Sequence, residues 1–308
     1  MSAQITDSIL MVRPANFGFN EETAENNAFQ SNDDSISQQQ IKEKAIAEFD
    51  DFVSILRQNG INVIVANDSE SPHKPDAIFP NNWITFHDDA SIVTYPMNAP
   101  VRRLERSESI INQINTNFRI EKRHHLESFE QDNLFLEGTG SMIIDRPNQI
   151  VYACIGPRTD EELLDKFCQF YDYQPVTFKA VDSNGKDIYH TNVLMALGEE
   201  FVIICLDTIS DLDERNNVIE ILESTEKEII EITLDQMMSF AGNMLQVKNK
   251  DGKTFLVMSE QAFKSLDQDQ IDQIEQYTSI LSIPLYTIEK YGGGSARCMM
   301  AEIFLPKR

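Results

Sequence analysis

Asp76, Glu137, His190, Asn243 and Cys298 recur along the chain at steps of 61, 53, 53 and 55 residues. Four of the five are residue types that carry acid–base or nucleophilic chemistry, and most stand just before or inside an apolar, strand-like run. Reactive side chains held at one phase of a repeat imply modules set around an axis, each handing one group to a shared centre. That constraint bears on fold, site and reaction class together.

Each unit reads as strand, strand, helix, strand. Trp83-Ile-Thr-Phe86 and Ser91-Ile-Val-Thr-Tyr95 flank Asp88-Asp89, a hairpin pattern, followed by a helix over 102–117 and a strand Phe118-Arg-Ile-Glu121. The second unit has Ser141-Met-Ile-Ile-Asp145, Ile150-Val-Tyr-Ala-Cys-Ile155, a helix opened by a capping box at Thr159, and Pro175-Val-Thr-Phe178. The third has Val193-Leu-Met-Ala196, Phe201-Val-Ile-Ile-Cys205, a helix over 210–224, and Glu228-Ile-Ile-Glu-Ile232. In the fourth, Met244-Leu-Gln-Val247 and Thr254-Phe-Leu-Val-Met258 enclose Lys250-Asp-Gly252, a strong hairpin turn, before one helix within 259–277 and a strand Ile283-Pro-Leu-Tyr286.

A fifth unit is split across the termini. Its strands are Ile9-Leu-Met-Val12 and Met299-Met-Ala-Glu-Ile-Phe304, its helix spans 38–58, and Ile61-Asn-Val-Ile-Val65 follows. Pairing the first strand with the last closes the ring and removes an exposed sheet edge. The expected fold is a single α/β domain over 1–308, a five-bladed propeller of ββαβ modules. An open doubly wound sheet would place single strands between helices, whereas hairpins recur here. Residues 16–34, rich in Asn, Glu and Gln, fit neither period and are expected to form a functional loop or lid.

Against 26 basic residues stand 50 acidic ones, a net charge of −24. Such a surface repels phosphate backbones and anionic lipid, which disfavours nucleic-acid and membrane partners. No apolar run approaches the ~20 residues of a membrane span, and the N-terminus lacks the basic-then-apolar pattern of a signal peptide. The expectation is a cytoplasmic protein acting on a small-molecule substrate, with homo-oligomerisation left open. Cys154, Cys168, Cys205 and Cys298 show no C-x-x-C spacing, so no disulfide scaffold is expected. His124-His125 reads as an exposed strand-edge pair, and neither a metal nor a cofactor is called for.

Tyr291-Gly-Gly-Gly-Ser-Ala-Arg297-Cys298 is the most specific segment. Only a thiolate is an effective nucleophile, and an adjacent cation with free backbone N–H groups favours it. The bland alternative is a flexible loop before a core strand. Cys154 and Cys205 sit mid-strand among Val, Ile and Leu and read as core; Cys168 reads as helix packing. His190 stands at a loop–strand junction, Glu137 precedes a Gly-x-Gly turn, and Asp76 and Asn82 lie ahead of the only Trp. Each has a structural reading alone. Their common phase favours a shared site.

Across nearly its whole length the chain resembles the guanidino-group-modifying superfamily, the penteins, which include arginine deiminases, dimethylargininases and amidinotransferases. Gly292-Gly-Gly-Ser-Ala-Arg297-Cys298-Met299 looks like the arginine deiminase cysteine loop, and Pro75-Asp76-Ala-Ile-Phe79 like a dimethylargininase substrate segment. Glu137-Gly138-Thr139-Gly140 takes the place of the family's acid-Gly-Gly-Asp segment, and His190 that of its histidine. With Met11-Val-Arg13-Pro14 and Phe79-Pro-Asn-Asn82-Trp83, the pattern is most similar to citrulline-utilisation hydrolases, often labelled amidinotransferase. The resemblance implies Cys298 as nucleophile, His190 as acid and base, and Glu137 as its partner. It further implies Asp76 as a ligand for substrate nitrogen or the α-amino group, Arg158 for the α-carboxylate, and Asn82 and Asn192 for the reacting group.

Two positions depart from arginine deiminases, where aspartates grip the guanidinium; here they are Asn82 and Asn192. An amide suits a neutral ureido group, whereas carboxylates match a cation. The sequence therefore points to a C–N hydrolase with L-citrulline favoured. Rivals are an amidinotransferase, guanidino hydrolysis of the deiminase or dimethylargininase type, and a non-catalytic propeller that binds a partner.

Overall fold

The computed structural model describes residues 2–24, 27–32 and 36–308. Five three-stranded sheets repeat one pattern, an antiparallel hairpin whose second strand pairs in parallel with a strand that returns after a helix. In one sheet Ile84–Phe86 runs against Ser91–Thr94, with Ile84 opposite Thr94, and Ser91 pairs in parallel with Lys122. The next sheets are Ile143–Asp145, Ile150–Cys154 and Gln174–Phe178; Met195–Leu197, Phe201–Ile204 and Glu228–Glu231; then Leu245–Lys248, Thr254–Ser259 and Ser279–Ile283. The fifth joins the termini. Ala301–Glu302 pairs antiparallel with Ser8–Arg13, which pairs in parallel with Asn62–Asn67.

The short first strands are largely buried; Ala301–Glu302 meets Ile84–Phe86, and Met195–Leu197 meets both Ile143–Asp145 and Leu245–Lys248. Helices cover the outer strands. Gln38–Gln58 shows how: Ser37 and Gln40 form a capping box, and Ile41, Ala45, Phe49, Phe52, Val53 and Leu56 line its buried stripe. No helix among the described residues is long and apolar enough to cross a membrane.

Several boundaries differ from expectation. Phe118-Arg-Ile-Glu121 is not the third strand of its unit; the strand is Lys122–His125. An outer, half-exposed strand needs no apolar alternation, while Phe118 is drawn into the core instead. Residues 102–117 divide into a 3₁₀ stretch, Pro100–Glu105, and a helix, Glu108–Asn117. The cap expected at Thr159 is Asp160, whose side chain accepts the Leu163 N–H. The single helix expected within 259–277 is two, Glu260–Ser265 and Gln268–Glu275, because Asp267 and Gln270 form a new capping box. Strand Ser279–Ile283 ends before Pro284, since proline cannot donate to a ladder. His125 is exposed, but His124 stacks on Phe170 at 3.9 Å.

Of the segment expected as a loop or lid, Glu25, Asn26, Asp33 and Asp34 lie outside the described residues. Its described part carries the short helix Glu21–Ala24 and runs beside the cysteine loop, where the Ser31 N–H bonds Lys290 O at 2.8 Å.

Candidate active site

Four of the five innermost strands are entered through a single tight helical turn, and these turns carry the chemistry. Pro80–Asn82 leads into the first, Gly138–Ser141 into the second, Thr191–Val193 into the third and Ala296–Met299 into the fifth. Asn243 stands two residues before the remaining one, Leu245–Lys248. The shared phase of the sequence is thus a shared end of the ring. Asp76, Asn82, Arg102, Arg158, His190 and Cys298 line one small cavity there.

His190 and Glu137 are both buried, and His190 Nε2 lies 2.9 Å from Glu137 Oε2. The other carboxylate oxygen accepts the Asn98 N–H at 2.9 Å. Burial would raise the Glu137 carboxyl, but Arg158 at 3.6 Å, His190 and Arg102 outweigh it and hold it at about 2. Burial pulls His190 down to about 4 despite the pull of Glu137. At neutral pH the pair is therefore a neutral imidazole donating Nε2–H to a carboxylate, rather than an ion pair. Nδ1 is left as the basic nitrogen.

Arg102 organises the opposite wall. Its guanidinium grips both oxygens of Glu105, at 2.9 and 3.0 Å, and donates to Asn82 Oδ1 at 2.9 Å. It also lies 3.8 Å from Asp76 and 3.9 Å from Glu137. A guanidinium only donates, so Asn82 must turn its oxygen to Arg102 and leave Nδ2 over. That Nδ2 is buried without a partner, as are Asp76 Oδ1 and Asn192 Oδ1. Asp76 Oδ2 accepts from Asn20 at 2.7 Å, and burial raises the Asp76 carboxyl.

Arg158 lies over the Tyr189 ring at 4.6 Å and donates to Thr23 O at 3.4 Å. Asn192 Nδ2 lies 3.4 Å from Cys298 Sγ. Gly140 is required by close approach: a Cβ there would come within 2.3 Å of Asn82 Nδ2 and 2.8 Å of His190 Nδ1.

The structure gathers all seven residues expected from sequence around this cavity. Asp76, Asn82, Arg158, His190 and Cys298 line it, Glu137 backs His190, and Asn192 reaches the sulfur. One expectation fails. Arg297 does not turn its cation to the thiol; its guanidinium binds Met300 O and Glu302, both at 2.9 Å. Arg102, Glu105 and Asn20 were missed. A signal for Arg102 existed, since Pro100 and an Arg pair at a supposed helix start oppose the helix dipole. Among the described residues no group of three or more His, Cys, Asp or Glu is placed to hold a metal.

A family model described as N,N dimethylarginine dimethylhydrolase, eukaryotic, matches residues 13–305. No curated protein matches. The N-terminal domain of ArgZ, covalently bonded to a reaction intermediate, superposes with a TM-score of 0.75 at 18% identity, covering 97% of this chain and 98% of that one. ArgZ is an arginine dihydrolase from the ornithine–ammonia cycle in cyanobacteria. Unliganded AgrE gives 0.74 at 17% identity, over 98% of this chain and 40% of its own. A dimethylarginine dimethylaminohydrolase adduct with S-methyl-L-thiocitrulline gives 0.66 at 13% identity, over 97% and 99%. These structures share the five-module fold, and the family model spans nearly the whole sequence: the chain belongs to the N,N dimethylarginine dimethylhydrolase family of the pentein, guanidino-group-modifying superfamily.

Proposed function

We propose that this protein is a cysteine-dependent hydrolase that cleaves a C–N bond of a ureido or guanidino amino acid, with L-citrulline favoured. The carrying observation is the orientation of Asn82. Its oxygen is taken by Arg102, so it offers a buried donor to the cavity. A guanidinium has no acceptor for that donor, whereas a ureido oxygen has. A buried donor left unpaired costs about 1–3 kcal/mol, enough to sort the two ligands.

In this reading the Cys298 proton passes to His190 Nδ1 and sulfur attacks the ureido carbon. The Asn82 N–H stabilises charge gathering on the ureido oxygen. The bond from carbon to the substrate's chain nitrogen breaks, and that nitrogen takes the proton from His190. His190 then draws a proton from water, which attacks the carbamoyl thioester and releases carbamate, the source of ammonia and carbon dioxide. Glu137 orients His190 and balances the transient imidazolium. Arg158 would hold the α-carboxylate and Asp76 Oδ1 the α-ammonium. Asn192 Oδ1 would accept from the ureido nitrogen. No cofactor enters the scheme.

A guanidino substrate is the second reading, supported by the free carboxylate oxygen of Asp76 and by the arginine chemistry of ArgZ. The test is purified protein against citrulline, arginine, methylated arginines and agmatine, with ornithine and ammonia quantified. Ornithine from citrulline is expected. Turnover of the guanidino compounds alone would move the assignment to them.

A further inference from the structure

Asn243 is the one member of the phased series with no part in the scheme above. It is buried, and its turn is pressed against the third module: a Cβ on Gly242 would stand 2.1 Å from Val193 O. That approach sets the Asn243 side chain between Asn192 and Cys298. Its Nδ2 donates to Asn192 O at 2.8 Å and lies 3.2 Å from Cys298 Sγ. Its Oδ1 shares the Cys298 backbone N–H with Ser295 O, at 3.4 and 3.1 Å, and its backbone oxygen accepts the Arg297 N–H at 3.4 Å. The Cys298 N–H can only donate and the Asn192 carbonyl can only accept, so the amide orientation is fixed, and Nδ2 meets sulfur as a donor.

We infer that Asn243 is a catalytic residue that clamps Cys298 at both backbone and sulfur and supplies a hydrogen bond to the thiolate. The inference rests on Cys298 as the nucleophile. With Asn192 it surrounds the sulfur with two carboxamide donors, 3.2 and 3.4 Å away. This is an arrangement for sulfur as acceptor, which suits the attacking thiolate and the thiolate released on hydrolysis. It fills the role that the sequence alone offered to Arg297, whose guanidinium is engaged elsewhere. A fixed sulfur also spares the reaction the search for an attack geometry.

The test needs no substrate. Alkylation of Cys298 by iodoacetamide at pH 7 is followed by peptide mass spectrometry, with the buried Cys154 as the unreactive control that reports unfolding. Asn243→Ala removes both contacts. Asn243→Asp keeps the size and the acceptor for the Cys298 N–H but loses the donor to sulfur, and it carries the test if the alanine variant does not fold. Each folded variant is expected to alkylate at least about tenfold more slowly, as fits loss of one charge-assisted hydrogen bond. With a turned-over substrate, kcat should fall by about 10²-fold with little change in KM. An alkylation rate within about twofold of wild type in a folded variant overturns the clamp. Slowed alkylation in a protein that turns over neither citrulline nor arginine would leave the clamp standing and remove the substrate assignment.

Discussion

Arg102 donates to Asn82 across 2.9 Å, and that bond decides which end of the Asn82 amide faces the cavity. Glu105 holds Arg102 through both carboxylate oxygens. Through the chain Glu105–Arg102–Asn82, Glu105, which does not itself line the cavity, fixes the Asn82 donor on which the proposed citrulline preference rests. A lysine at 102 could not span these partners, since it lacks the planar fork.

Glu137 holds His190 in one tautomer and pulls its protonation upward against burial. Glu137→Gln removes that pull, so the acid limb of kcat/KM, set near 4 by His190, should move to lower pH. Loss of the balancing charge should cost about 10²–10⁴ in kcat. A pH–rate profile of the variant checks both effects, and an unshifted acid limb would contradict the pairing.

Gly140→Ala should lower kcat by at least about tenfold, because the added methyl drives Asn82 and His190 apart. The turn tolerates alanine only by moving those two groups, so the loss should exceed any fall in Tm. Steady-state kinetics beside a melting curve separate the two.

Cys298→Ser should abolish turnover and leave the fold intact. Cys154→Ser should instead cost roughly 1–3 kcal/mol of stability, since a shorter, more polar hydroxyl replaces a buried sulfur whose polar neighbours, Ile188 O and Thr191 Oγ1, lie 3.6 and 3.5 Å away. Burial pushes the Cys154 thiol up to about 11, which marks it as inert. Full activity in Cys298→Ser would remove the covalent mechanism.

The five-module plan was legible because hairpin turns and apolar runs are local signals. The phase of Asp76, Glu137, His190 and Cys298 was legible because every module enters its inner strand at the same end. Lys122–His125 was not, since an outer strand with a charged sequence carries no burial pattern. The role of Arg102 was legible only in part: Pro100 and the i,i+3 pairing with Glu105 are local signals, but its contacts with Asn82 and Asp76 are ones that no spacing encodes. The split at Asp267 was readable in principle, because Asp267 and Gln270 have capping-box spacing.

Glu289 is buried against the cysteine loop, where its Oε1 accepts the Ser295 hydroxyl at 2.7 Å and its Oε2 has no partner. Burial pushes its carboxyl to about 7 from an ordinary 4.5. A raised folded value means stability present below about 4.5 and lost as pH rises through 7. Glu289→Gln should match wild type near pH 4.5 and exceed it by up to roughly 3 kcal/mol at pH 8.5. Denaturant unfolding at the two pH values reads this difference, and parallel curves for both proteins would refute it.

The most direct test of charge matching is the ratio of kcat/KM for arginine to that for citrulline, in wild type and in the Asn82→Asp, Asn192→Asp double variant. Wild type should favour citrulline, because Asn82 Nδ2 finds an acceptor only there. Two carboxylates should lower citrulline turnover and raise the ratio, since opposite charges within ~4–6 Å stabilise the ion pair. Wild-type preference for arginine, or a ratio unchanged by the two substitutions, would contradict the account.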